Sequence, residues 1–146
     1  MPRTQNLSDL DLKKSIITAR QSVYSDFDLS LKPHPNTGDI TTLRDINSVR
    51  QSIKNLILTN PGDRPFSPNL GSGVRGLLFE PVDAFTALDI KEVIETVVSN
   101  FESRAQLLDV TVTDEADNNR YRVQIQFQII TSLDTGEVDF YVERLR

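Results

Sequence analysis

Glu80 and Asp83 are carboxylates three residues apart, set between Phe79 and Phe85. Glycoside hydrolysis uses two acids about 5 to 9.5 Å apart across a cleft, one with its pKa raised by apolar surroundings. This pair comes nearest to that chemistry, since either member could be desolvated by the phenylalanines. With 21 acids against 16 bases in the chain, however, most carboxylates are simply solvated. His34 is the sole histidine and stands between Pro33 and Pro35. That is the setting of a loop residue rather than a general base, so no Ser-His-Asp triad can be assembled. Gly71-Ser72-Gly73-Val74-Arg75-Gly76 spells G-x-G-x-x-G, a phosphate cradle only when a buried strand precedes it and a long helix succeeds it. Here a proline-rich loop comes before, and Pro81 leaves no room for a long helix after. With no cysteine and no cluster at metal-ligand spacing, neither metal nor cofactor is expected. Glu102 and Arg104 flank a sharp corner, where a bidentate contact would fix the backbone. They form either a helix-end ion pair or a surface for a partner protein, and the spacing alone leaves both open.

These groups need elements to hold them. Thr86 to Phe101 reads as an amphipathic helix: Ile90, Val93, Ile94, Val97, Val98 and Phe101 recur at spacings of three and four. Thr86 and Asp89 suit its start. Beyond the corner the period becomes two, with Leu108, Val110 and Val112 opposed to Asp109, Thr111 and Thr113. Tyr121, Val123, Ile125, Phe127 and Ile129 alternate with Arg122, Gln124, Gln126 and Gln128. After the Asp134-Thr135-Gly136 turn, Val138, Phe140, Val142 and Leu145 continue the apolar row. Earlier, Phe27, Leu29 and Leu31 suggest a short strand, with Ile40 to Leu43 returning. Asp45 or Asn47 caps a helix carrying Val49, Ile53, Leu56 and Ile57, which Pro61-Gly62 stops. Asp63 to Gly73 is an irregular loop in which Phe66 and Leu70 are apolar enough to tuck back or meet a partner. Val74 to Phe79 is a short apolar run. The expected fold class is α+β: a two-layer domain whose antiparallel meander has one face covered by helices. Residues 26–146 form that single domain, and residues 1–25 an arm ordered by a partner or by nothing.

Composition narrows the partners. The net charge is −5, yet residues 82–119 hold nine acids against Lys91 and Arg104, which is −7 and leaves +2 elsewhere. An acidic chain without a dense basic patch is a poor nucleic-acid binder. No apolar run approaches the roughly 18 residues of a bilayer span, and the N-terminus lacks a signal-peptide core, so no membrane or export is expected.

Several ordered pieces of sequence resemble one family. They are Ser25-Asp26-Phe27-Asp28, Val49 to Leu56 (VRQSIKNL), Gly62 to Pro68 (GDRPFSP), Gly71, Leu77-Leu78-Phe79-Glu80, the acidic helix, and Phe101-Glu102-Ser103-Arg104. In order and spacing the chain from Val23 to Leu145 is similar to the baseplate wedge proteins at the sheath-initiating end of contractile tails. These occur in T-even-like phages, with relatives in type VI secretion baseplates. The family's corner tripeptide is Glu-Pro-Arg; here Ser103 replaces the proline and loosens the corner. The resemblance implies a structural virion protein, not an enzyme, present in multiple copies around the tail axis and assembled in the host cytoplasm. It implies that Glu102 and Arg104 dock other wedge proteins, with Arg64, Pro65 and Phe66 near the same contacts. It also implies that tail sheath strands add to the small sheet.

The last strand, with Val138, Phe140, Val142 and Arg144, is the expected edge, and exposed edges pair with extended segments. Asp139, Glu143 and Arg144 could equally keep it quiet. Val142→Pro is expected to block sheath initiation while leaving the monomer folded. The alternative function is a peptidoglycan-degrading tail hydrolase, since older names in the family carry a lysozyme label.

Overall fold

The computed structural model describes residues 22–143. Two short strands open it, β1 (Ser25–Phe27) and β2 (Thr42–Arg44), paired antiparallel with Asp26 opposite Leu43. The expected strand through Leu31 stops at Phe27. The chain turns there, with the Leu31 amide donating to the Asp28 carbonyl and Leu31 itself at φ 52°.

Helix α1 (Ile46–Leu58) comes next, burying Val49, Ile53, Leu56 and Ile57 as the 3–4 spacing requires. Asp45 is the residue before it, but its side chain does not cap the helix. At φ 46° its carboxylate turns back to accept the Val23 and Tyr24 amides at 2.9 and 3.2 Å. The loop beyond ends in a four-residue helix, α2 (Val74–Leu77), which buries Val74. Gly71 is required in that loop, since a Cβ there would stand 2.6 Å from the Thr59 carbonyl oxygen.

Helix α3 (Ala84–Phe101) begins two residues before the expected start. Its cap is Asp83, whose carboxylate accepts the Thr86 amide at 2.8 Å, while the Thr86 hydroxyl donates to the Pro81 carbonyl. Ile90, Ile94, Val97 and Val98 are buried, but Phe101 at the end of the stripe is 43 % exposed. Three long strands complete the fold: β3 (Ala105–Glu115), β4 (Arg120–Ile129) and β5 (Thr135–Glu143), in the spatial order β3-β4-β5, all antiparallel.

The apolar rows of β4 and β5 face the helices as the alternation predicts, with Tyr121 to Ile129 and Val138 to Val142 buried. Leu145 lies outside the described residues. In β3 the pattern shifts. A register irregularity between Leu107 and Asp109 turns Leu108 outward at 52 % exposure and puts Ala105 and Leu107 on the core side instead. The result is the expected two-layer α+β arrangement, with α1 and α3 on one face of the sheet and polar side chains on the other. At Gly136, β5 runs so close to α1 that an added Cβ would meet Phe127 at 2.6 Å and Ile46 at 2.9 Å.

Candidate functional site

The corner joining α3 to β3 is built around Glu102. The residue is only 4 % exposed, its amide still donating to Val98 of the helix. Arg104 grips the carboxylate through both oxygens, Nε to Oε1 at 2.6 Å and an Nη to Oε2 at 2.7 Å. Burial alone would push the Glu102 carboxyl up. Arg104, together with the Ser52 hydroxyl of α1, outweighs it and holds the carboxyl below the usual range. The guanidinium lies 5.6 Å from the centre of the Tyr24 ring, and the Tyr24 hydroxyl bonds Thr131 in the turn after β4. Glu102 therefore braces the corner from inside, while Arg104 keeps part of its side chain in solvent. Neither Tyr24 nor Ser52 is identifiable from spacing, because the contacts span 80 and 50 positions in the chain.

Arg64 and Pro65 are exposed, and Phe66 is wholly so, whereas Leu70 tucks back. Arg64 lines a recess with Asp26, Ser52, Leu56, Leu70 and Phe101. Ser52 links this recess to Glu102, so the loop and the corner share one side of the molecule. Phe66 thus presents its whole side chain to solvent in the same loop.

The second feature is the main chain of β5. At the β4–β5 hairpin the Ile129 amide donates to the Asp134 carbonyl, which makes that couple a hydrogen-bonded pair. Pairing alternates along an antiparallel ladder. With Ile125 opposite Val138, Val123 opposite Phe140 and Tyr121 opposite Val142, those three β5 residues bond inward to β4. Glu137, Asp139, Tyr141 and Glu143 turn their amides and carbonyls to the outer edge. The Glu137 carbonyl agrees with that parity by accepting Arg50 Nε of α1 at 2.7 Å. Arg50 thus covers the start of the edge and leaves residues 139–143 beyond it. Val138, Phe140 and Val142, expected as edge contacts, have their side chains in the core. Arg144 lies outside the described residues. On the polar face Arg122 pairs with Asp139 at 2.6 Å and Arg120 stacks on Tyr141 at 4.1 Å, so β5's charges are partly neutralised across the strand.

The hydrolytic pair has a different fate. Glu80 is exposed, and Asp83 is held below the ordinary carboxylate range by the Thr86 amide, opposite to the direction a general acid requires. The glycine-rich segment leads into only one turn of helix, too short to present a phosphate site.

Comparison with known proteins identifies the family. The family described as baseplate wedge protein gp25 matches residues 44–134. Baseplate wedge protein gp25 of Enterobacteria phage T4 is 33 % identical over 115 residues, covering 79 % of this chain and 86 % of that protein. A chain in the cryo-EM structure of the anti-feeding prophage baseplate, six-fold symmetrised, superposes with a TM-score of 0.63 at 27 % identity, over 76 % of this chain and 89 % of its own. A Geobacter sulfurreducens crystal structure described as a "putative tail lysozyme" gives 0.62 at 21 % identity over 67 % and 89 %, a likeness of fold alone. The matched span runs from β2 through the hairpin after β4 and includes the corner, and on these grounds the chain belongs to the gp25 baseplate wedge family of contractile tails.

Proposed function

We propose that this chain is a non-enzymatic subunit of a phage tail baseplate whose β5 edge templates the first layer of tail sheath. The observation that carries the reading is the parity of β5. Asp139, Tyr141 and Glu143 offer outward amides and carbonyls on a strand with nine uninterrupted register pairs to β4. Strand addition takes its affinity from such main-chain bonds and its specificity from alternate side chains. The corner and the Arg64-Pro65-Phe66 loop dock neighbouring wedge proteins, Arg104 and Phe66 making the contacts and Glu102 holding Arg104 in place. Residues 26–146 act as the wedge domain, to which Val23, Tyr24 and Ser25 also belong through Asp45, Arg104 and β2, while the rest of the expected arm, residues 1–21, lies outside the described residues. Copies arranged around the tail axis share the load, so a single sheath contact need not be tight. The protein would assemble in the host cytoplasm and end in the virion tail.

Tyr141→Pro tests the reading. It removes one outward donor while leaving the β4 ladder intact, and sheath growth on baseplates carrying it should fall at least tenfold. Normal sheath growth on that variant overturns the template role.

A further inference from the structure

The outward flank of α3 has a second surface that the strand edge and corner do not use. Between α2 and α3 lies a recess of about 480 Å³. Leu77, Val93 and Val97 form its floor, and Asp89 and Glu92 stand on its wall. The same flank continues to Phe85 and Leu88, which are 78 % and 63 % exposed. Phe85, Asp89, Val93 and Val97 follow one another at every fourth position, and Leu88 and Glu92 lie on the adjoining row farther from α2. Glu95 pairs with Lys91 at 3.8 Å, but Asp89 and Glu92 have no ion pair among the described residues. Apolar floor, protruding aromatic and unneutralised carboxylates occur together, and all but Leu77 fall within residues 82–119, whose net charge is −7.

We infer that this groove receives a cationic amphipathic helix from a neighbouring baseplate protein, its apolar ridge on Leu77, Val93 and Phe85 and its lysines or arginines facing Asp89 and Glu92. The helix-in-groove mode reads anchors at such spacings. Opposite charge on the rim selects a basic helix over an acidic one. The surface is distinct from the β5 edge, so its failure leaves the sheath template untouched, and the converse holds.

The full-length chain is titrated with an 18-residue peptide of leucine and lysine, patterned to put leucine on one helical face. Binding should be saturable, weaken at least tenfold in Phe85→Glu and in the Asp89→Lys/Glu92→Lys pair, and be unchanged in Asp109→Lys/Asp114→Lys. Absence of saturable binding, or equal weakening by both charge-reversed pairs, overturns the inference. A photoreactive residue at Thr96 in intact baseplates then identifies the natural occupant. A cross-link to a lysine- or arginine-bearing helical segment of a neighbouring protein supports the proposal. A cross-link to a second copy, to the chain's own residues 1–21, or to nothing overturns it.

Discussion

The two outer strands of the sheet are built alike from alternating residues, yet they leave different things open. Along β5 the register to β4 is continuous, and the residues whose main chain faces outward carry side chains on the polar face. Along β3 the ladder slips between Leu107 and Asp109. Its outward parity then falls on residues such as Val110 and Val112, whose side chains lie under α3. A bulge twists an edge away from flat pairing, a common way of protecting it. Asp109 and Asp114 add charge with no ion pair among the described residues, whereas Asp139 on β5 is answered by Arg122. One sheet thus has a blunted side and a regular side, which gives any growth by strand addition a single direction.

The sharpest way to break this contrast is to place proline on the two parities of β5. Val142→Pro removes a donor to β4 and should cost about 3 kcal/mol or more, seen as a large drop in the denaturant midpoint. The expectation that Val142→Pro would spare the fold is therefore wrong, since its amide faces inward. Tyr141→Pro should cost far less stability and still stop sheath growth. Val112→Pro, on the outward parity of β3, should leave sheath growth normal. Equal loss of growth from the β3 and β5 prolines would erase the distinction between the edges.

Next in size is the corner that joins α3 to β3. Glu102→Gln leaves Arg104 half-satisfied and should destabilise the chain by about 1–3 kcal/mol. The sign with pH comes from the depressed Glu102 carboxyl. Its contribution is present above the unfolded value and is lost as pH falls through the lower folded one. Urea midpoints should therefore drop in acid more steeply for the parent than for Glu102→Gln, and parallel curves would contradict this role.

The smallest effect should come from Arg50→Ala, about 0.5–1 kcal/mol for the exposed hydrogen bonds to the Glu137 carbonyl and the Asn47 side chain. It uncovers the Glu137 carbonyl and lengthens the open edge. Amide exchange at Asp139 and Tyr141 should rise only slightly, while sheath initiation is kept or improved. A loss of initiation would make Arg50 part of the contact rather than its boundary.

Much of this architecture is legible in the sequence because β4 and β5 hold a strict period of two and α1 and α3 a period near 3.6. Backbone events without a compositional mark escape such a reading. The bulge that reverses Leu108, the positive φ of Leu31 and Asp45, and the cap at Asp83 depend on how the chain turns. Of the candidate site, the Glu102–Arg104 pair can be read from its spacing, and the proximity of the Arg64 loop came from resemblance alone. The parity of β5 is hidden, since the alternation shows which side chains are buried but not which amides face out.

The most direct test is a structure of the assembled baseplate with its first ring of sheath. A sheath strand should run beside residues 139–143, hydrogen-bonded to the main chain of Asp139, Tyr141 and Glu143. A map with that margin occupied by the chain's own polypeptide, or with the sheath engaged along β3, would contradict the template role.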